Sequence, residues 1–576
     1  MRVRVLPDVT GLDKEFDYVA DDDPLLAVGA LVRAPLHGRR VAGWVTALEP
    51  PDALVDAARL QPIKAVVSHG PAPELLTLAG WASVRWAAGR LRPFLIAASP
   101  PTRVTSLPIA QRTASTSRLG PVGAQAAATL DAGGGVLVIP PATSPVEAIV
   151  AAAHRGPTLA AVPTVARAVA MAAALDRRGL TTALVPRAWA AAAAGVDVVI
   201  GSRVAAWAPC PSMAAVVVID EHDEALQEER APTWHARDVL LERARRAGVP
   251  VLLTSPAPTV AGLAAAGRLD RLPADVARSG WPIVDVVDRT AEEPWKTSLV
   301  TPALIRHLRN HALTVVCVHN TPGRGRILSC RSCKALLRCE RCDAAVAQPG
   351  DAELVCPRCG TERARVCQHC GGSAFGNLRP GVTRLREELT AAANRPAVAV
   401  TGGGDERPEA AGVYVGTEAV LHRVERADVV AFLDFDRELL APRYRAAEQA
   451  MGLLVKAARL LGPRSRGGRL LVQTFLPGHD VFRAALLADP TRLLAAEGER
   501  RRLLELPPVR ALATVTGAGS AELTAELERS ALVEVGGAAG SYTVRAPDWT
   551  TLGEALVGAK RATGSRARIA VDPPRA

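Results

Sequence analysis

The chain has 576 residues, a formal net charge of +11, 3% aromatic residues and ten cysteines. That length exceeds what one hydrophobic core serves and predicts three to five domains. No run of eighteen apolar residues is free of charges and breakers, so no membrane span is predicted, and the excess of arginine suits a polyanionic partner.

Strand-like pieces open the chain. Residues 2–6, 31–34 and 41–48 are apolar or alternating, with turns at Pro7, Pro35 and Gly38. A helix is predicted over 73–90, followed by another apolar piece, so residues 1–105 read as a β-rich domain. Ser, Thr, Arg and Gly fill 106–120, a predicted linker. From 121 to 300 short apolar runs alternate with helical stretches. Runs at 135–140, 158–163, 182–186, 197–201, 214–220 and 249–255 read as buried parallel strands. Strand and helix repeated this way predict a doubly wound α/β unit. A second such unit, over 301–480, starts with a strand at 313–319 and resumes at 397–401, 412–416, 429–435 and 469–475. An α+β region is predicted over 481–576.

Eight cysteines interrupt the second unit after its first strand. They form four Cys-x-x-Cys pairs: Cys330/Cys333, Cys339/Cys342, Cys356/Cys359 and Cys367/Cys370. Each pair points two thiolates at one tetrahedral ion, and two pairs complete a closed four-sulfur site. Two zinc ions per chain are therefore predicted, as staples and not as catalysts. A disulfide framework belongs to small secreted chains. Met1-Arg2-Val3-Arg4 opens no apolar leader, and reduced thiols predict a cytoplasmic location. Cys210 and Cys317 stand alone. Spacing permits adjacent, crossed or nested pairing. The nested reading is preferred, with Cys339/Cys342/Cys356/Cys359 as a ribbon-like hairpin and Cys330/Cys333/Cys367/Cys370 closing its base. The module spans 328–373.

Two tandem α/β units, the second carrying an eight-cysteine insertion, resemble the PriA family of replication restart proteins (primosomal protein N′), which are superfamily 2 DNA helicases. Further matches run in family order: Phe16-Asp17-Tyr18, Gly201-Ser202-Arg203, His235-Ala236-Arg237-Asp238, Asn320–Gly323, Gly416-Thr417, Asp434-Phe435-Asp436, Leu506-Pro507-Pro508 and Val571-Asp572-Pro573. The resemblance implies two RecA-like helicase lobes with a double zinc module inserted in the second. It also implies a β-rich N-terminal domain that holds the 3′ end of a nascent strand, and an α+β C-terminal domain. The implied partners are forked and single-stranded DNA, other primosome proteins, the replicative helicase or its loader, and single-stranded DNA-binding protein. The implied location is the nucleoid.

The chain departs from the family where ATP would bind. After the strand at 135–139 it reads Pro140-Pro141-Ala142-Thr143-Ser144-Pro145, and no lysine occurs between Lys64 and Lys296. A phosphate loop needs backbone N–H groups, a lysine and a Ser/Thr hydroxyl, and proline has no N–H. The family's acidic box is one residue shorter here, Asp220-Glu221-His222-Asp223, which leaves Asp220 and Glu221 as remnants. Ser255-Pro256-Ala257-Pro258 replaces Ser-Ala-Thr-Pro, and the arginine-finger helix has become Leu454–Leu461 with Arg459 alone. About thirty residues separate the first domain from the first lobe, too few for the family's winged helix. No catalytic residue is predicted. Actinobacterial members of the family share this degeneration and are held to lack helicase activity. The expectation is a fork-binding scaffold without ATP-driven unwinding; the alternative is an ATP-dependent 3′–5′ helicase with a divergent nucleotide site.

Among the candidate DNA contacts, Phe16 or Tyr18 would stack on a base, Asp17 would accept from a terminal 3′-hydroxyl, and Arg33 would meet phosphate. Residue pattern alone also allows an ordinary strand with Phe16 and Tyr18 inward and Asp17 outward. Arg326, Arg331, Lys334, Arg338, Arg341, Arg358, Arg363 and Arg365 surround the sulfurs. Arg464, Arg466 and Arg469, and Arg500, Arg501 and Arg502, are expected as solvated basic turns.

Overall fold

The computed structural model describes residues 1–51, 59–113, 117–290, 298–320, 328–333, 335–348, 353–356, 359–377, 382–400, 407–538 and 540–574. The first unit is a five-stranded antiparallel sheet: β1 (Arg2–Pro7), β2 (Phe16–Val19), β3 (Leu31–Leu36), β4 (Arg39–Leu48) and β5 (Ala65–Ser68), in the order β2-β1-β4-β3-β5. Period-two alternation puts Val3 and Val5 in its core with Val32, Ala34 and Val45. His37 and Gly38, at φ 47° and 75°, turn β3 into β4. Two left-handed residues match the twist of a tight hairpin. The helix predicted over 73–90 is Pro73–Arg85, and the apolar piece after it is a second helix, Arg92–Ala98. They are separated where Ala87 and Gly89 adopt positive φ.

Among the described residues of 99–120 there is no helix or strand. The connection is sewn to the next unit instead. Asp197 accepts from the N–H and hydroxyl of both Thr113 and Thr181. Burial alone would raise the Asp197 carboxyl, but these four donors hold it below the usual range.

The first lobe is a seven-stranded parallel sheet: β6 (Gly134–Val138), β7 (Thr158–Ala161), β8 (Thr182–Leu184), β9 (Val198–Gly201), β10 (Ala215–Ile219), β11 (Val251–Ser255) and β12 (Leu269–Arg271). Its order is β12-β6-β11-β10-β7-β9-β8. Six of these strands are the apolar runs of the sequence. The seventh, β12, holds three residues, two of them charged, and carries no apolar signal.

The second lobe begins earlier than the expected boundary at 300. β13 (Ile283–Asp288) pairs with the last strand of the second sheet and not with the first sheet. Its half-exposed edge position depends on a partner almost two hundred residues away, which local pattern does not reveal. β14 (Val315–Val318) follows. Next come four short strands of the cysteine module, β15 (Leu328–Cys330), β16 (Glu353–Val355), β17 (Glu362–Ala364) and β18 (Phe375–Asn377). The lobe resumes with β19 (Ala397–Val400), β20 (Val413–Gly416), β21 (Val429–Phe432) and β22 (Arg469–Thr474). The parallel order is β13-β22-β21-β14-β20-β19. A last unit has β23 (Ala511–Thr516), β24 (Glu534–Ala538), β25 (Ser541–Ala546) and β26 (Arg568–Val571) in an antiparallel sheet, with helices Ser520–Leu527 and Trp549–Thr563.

One apolar core ties the first domain, one face of the first lobe and the C-terminal unit together. Trp86, Phe94, Trp207, Leu240, Leu552 and Leu556 all belong to it. Phe94 packs on Trp207 at 5.2 Å between ring centroids, and Trp207 meets Trp234 edge-on at 5.9 Å. No described helix is long and apolar enough to cross a membrane.

Asp436, at the foot of the second sheet, is buried. It accepts from the Thr474 hydroxyl (2.5 Å) and the Phe475 N–H (2.9 Å). Burial, and then the neighbouring Asp434, push its carboxyl up to about 7. The unfolded chain ionises this group near 4, so between about pH 4 and 7 the folded state binds the extra proton. Stability from this residue therefore falls as pH rises through that window. Asp436→Asn should flatten that part of the stability–pH profile and be more stable than the parent at pH 8. Urea titrations of both proteins from pH 4 to 8 check it, and parallel profiles would refute it.

Candidate metal and DNA sites

The eight cysteines assemble into two groups, Cys330/Cys333/Cys367/Cys370 and Cys339/Cys342/Cys356/Cys359, as the nested reading expected. Sulfur–sulfur distances are 3.5 Å for Cys330–Cys370, 3.6 Å for Cys333–Cys367, and 3.5 Å for both Cys339–Cys359 and Cys342–Cys356. A disulfide would be near 2.05 Å, whereas the edge of a tetrahedron with metal–sulfur bonds of about 2.3 Å is about 3.8 Å. Each group can therefore hold one metal ion in a closed tetrahedral site. The turns are built alike. The residue after the second cysteine is left-handed in three of them: Asp343 (φ 62°), Gly360 (73°) and Gly371 (73°). In those three its N–H returns to the carbonyl of the first cysteine at 2.8–2.9 Å.

The module rests on the second lobe through Ala345 N–H to Leu440 O (2.8 Å) and through Leu504, packed beside its sulfurs. Arg338 pairs with Asp343 at 3.0 Å, and Arg363 donates to the Val366 carbonyl. Arg326, Lys334 and Arg358 lie outside the described residues, as do 321–323 of the Asn320–Gly323 match. Asn320 itself donates to Glu438 and accepts from the Glu418 N–H, both at 2.8 Å.

In the first domain the structure divides the Phe-Asp-Tyr triplet by the pleat. Tyr18 lies in the sheet core, 4% exposed, and its hydroxyl donates to the Pro35 carbonyl at 2.9 Å. Phe16 packs at the edge of the same core, half-buried under Lys14. Asp17 faces the other side and receives Arg4 through two nitrogens, at 2.7 and 3.2 Å. Arg33, Arg39 and Arg40 are exposed on the β3–β4 hairpin.

At the place of a phosphate loop, two of the three amides in Pro140–Pro145 are used by the chain itself. Ala142 N–H donates to the Gly280 carbonyl (3.1 Å) and Thr143 N–H to the Pro140 carbonyl (3.0 Å). Gly280 lies so close that a Cβ there would sit 2.4 Å from Pro140 Cβ. Both remnant carboxylates are also taken. Asp220 binds Arg167 and Arg459, the latter at 2.6 Å. These two arginines hold its carboxyl below the usual range, against the burial that opposes ionisation. Glu221, fully buried, accepts from Thr259 N–H (2.7 Å), Thr259 Oγ1 (2.8 Å) and Arg237 (3.1 Å).

The motifs without a place in nucleotide chemistry converge on one buried junction. Asp572 accepts from the Tyr444 hydroxyl (2.5 Å) and Arg445 (2.7 Å), and its carbonyl accepts from Gln227 (2.8 Å). Arg237 also pairs with Asp238, which Arg85 of the first domain approaches at 3.4 Å. His235 caps the helix Ala236–Ala247 through Nδ1, which accepts the Arg237 N–H. Burial and Arg237 press its imidazole down to about 3, so it stays neutral. Arg501, expected in a solvated turn, is instead buried against Glu448 (2.5 Å) and the Pro507 carbonyl. On a helix only one of three consecutive residues faces inward, and composition did not reveal which.

Residues 4–92 match the family model described as the 3′ DNA-binding domain (3′BD) of PriA. The replication restart protein PriA of Bacillus subtilis is 27% identical over 347 residues, 56% of this chain and 43% of that protein. The PriA of Thermotoga maritima is 28% identical over 358 residues, 57% of this chain and 47% of its own. The chain is a relative of the PriA replication restart proteins. A Mycobacterium bovis protein named "Probable replication restart protein PriA" is 28% identical over 379 residues, 60% of this chain and 56% of its own. The chain spans about half the length of the curated relatives it matches. Asp17 and Arg33 fall inside the PriA 3′BD match, and the cysteine groups fall outside it.

Proposed function

We propose that this chain is a PriA-like scaffold that binds DNA at abandoned replication forks and helps reload the replication machinery, without ATP-driven unwinding. One observation carries the second half of that reading: Asp220, at the position of the acidic box, is already paired with Arg167 and Arg459. Magnesium and phosphates would have to displace both. The 3′BD match supports the first half.

In this reading residues 1–105 hold a 3′ DNA end, with Asp17 reading a free hydroxyl, Phe16 against the terminal base and Arg33 on phosphate. Residues 121–282 and 283–480 form the degenerate lobes, 106–120 link them to the first domain, and 481–576 complete the body. The two cysteine groups hold zinc, the usual ion for closed four-thiolate sites. Other primosome proteins, the replicative helicase or its loader, and single-stranded DNA-binding protein are the protein partners, at the nucleoid in the cytoplasm.

The test combines two measurements on the zinc-loaded chain. DNA-stimulated ATP turnover should be indistinguishable from a protein-free blank. Turnover at helicase-like rates would overturn the scaffold reading in favour of a divergent 3′–5′ helicase. Forks ending in a 3′-hydroxyl should bind about tenfold tighter than forks ending in a 3′-phosphate, the scale of one hydrogen bond to a charged acceptor. Asp17→Ala should erase that preference, and an unchanged preference would remove Asp17 from the site.

A further inference from the structure

The two lobes meet across the place where a nucleotide would lie, and the contacts there belong to the chain alone. Arg459 projects from the second-lobe helix Ala446–Leu461 onto Asp220 at the end of β10 in the first lobe. Two residues of the first-lobe side, Ala257 and Trp281, are part of the second lobe's core. Glu448 accepts the Val260 N–H at 2.7 Å, so a backbone group of the first lobe is satisfied by a side chain of the second. Gln449 of the same helix donates to Glu224 and to the Pro574 carbonyl.

We propose that the lobes form one permanently closed body, locked by the bridge Arg459–Asp220–Arg167, in which Arg459 supplies the positive charge that the magnesium ion on a nucleotide supplies in a cycling motor. The inference rests on the reading that this chain does not turn over ATP, and deepens it. Asp220 is 2% exposed. A carboxylate so placed cannot shed its partners without a large desolvation penalty, because water does not replace them. An exposed ion pair would be worth little; this one sits on a seam already closed by apolar packing and a backbone hydrogen bond. Lobe closure is thus taken away from nucleotide and built into the sequence. The first domain and the cysteine module, docked on opposite lobes, then keep one fixed spacing for DNA.

Hydrogen exchange on the full zinc-loaded chain tests this. Amides of Val260–Ala266 and Ala446–Leu461 should show the same slow exchange with and without millimolar ATP and Mg²⁺. Arg459→Ala should speed exchange in Val260–Ala266 by about tenfold while zinc content and far-UV dichroism stay at parental values. Arg459→Lys, which keeps the charge, should restore most of the protection. A nucleotide-dependent change in the parent, or unchanged exchange in Arg459→Ala, would overturn the lock. Fork affinity, measured on the same samples, separates the two ideas. Unchanged exchange in Arg459→Ala with intact fork binding sinks the lock and leaves the scaffold reading standing, whereas ATP turnover sinks the scaffold reading itself.

Discussion

Removing the metal should unfold the cysteine module and leave the two parallel sheets folded. The module has little else to hold it. Its strands are three residues long and its core consists of Leu328, Leu337, Ala344, Val346 and Leu354 around the sulfurs. So small an apolar core does not offset chain entropy. A closed tetrathiolate zinc site contributes on the order of 10 kcal/mol to the fold that encloses it. Metal analysis should find two zinc ions per chain, and chelation should abolish amide protection in the module while β6–β11 stay protected. Cys342→Ser, at a buried ligand, should leave one zinc per chain and loosen the hairpin first. One zinc in the parent, or a metal-free module that keeps its protection, would refute the assignment.

The second large effect is expected at Asp572. The side chain is buried and holds Tyr444 and Arg445 at the meeting point of three units, while its carbonyl holds Gln227. Burial alone would raise its carboxyl; Arg445 and the Tyr444 hydroxyl more than reverse this, so the group is depressed. Its contribution is therefore present above about pH 4 and is lost as pH falls through the depressed value. Asp572→Ala leaves Arg445 buried without its counterion, which costs about 3–5 kcal/mol. The main thermal transition should fall by about 3–6 °C, and the C-terminal unit should become the first site of proteolysis. Tyr444→Phe removes one hydrogen bond and should cost only about 1 kcal/mol. Scanning calorimetry on the three proteins checks the ranking. A cost for Asp572→Ala no larger than that for Tyr444→Phe would show that the junction does not depend on this charge.

The metal sites were the most legible part of the sequence. Four Cys-x-x-Cys pairs state both ligand type and number, because chelation by a short turn is a local property. Apolar runs of five to seven residues likewise announced the buried strands β6, β7 and β9–β11. Less legible were elements whose identity depends on a distant neighbour. β13 belongs to the second lobe only because it lies beside β22, and Arg501 looked like its exposed neighbours until helix Thr491–Leu503 turned it inward. In the Phe16-Asp17-Tyr18 triplet the pleat, and not the motif, put Tyr18 inside and Asp17 beside Arg4.

Residue identities alone led to the expectation of no phosphate loop: Pro140, Pro141 and Pro145 lack the donors, and no lysine occurs between Lys64 and Lys296. They also predicted two four-cysteine groups, and the structure brings both together in a form that could hold metal. Only the tertiary structure decided what surrounds Asp220. Asp220, Arg167 and Arg459 are scattered over more than two hundred residues, and their encounter follows from how two sheets pack. Long-range charge pairing leaves no periodicity in the chain, since only packing brings such groups together.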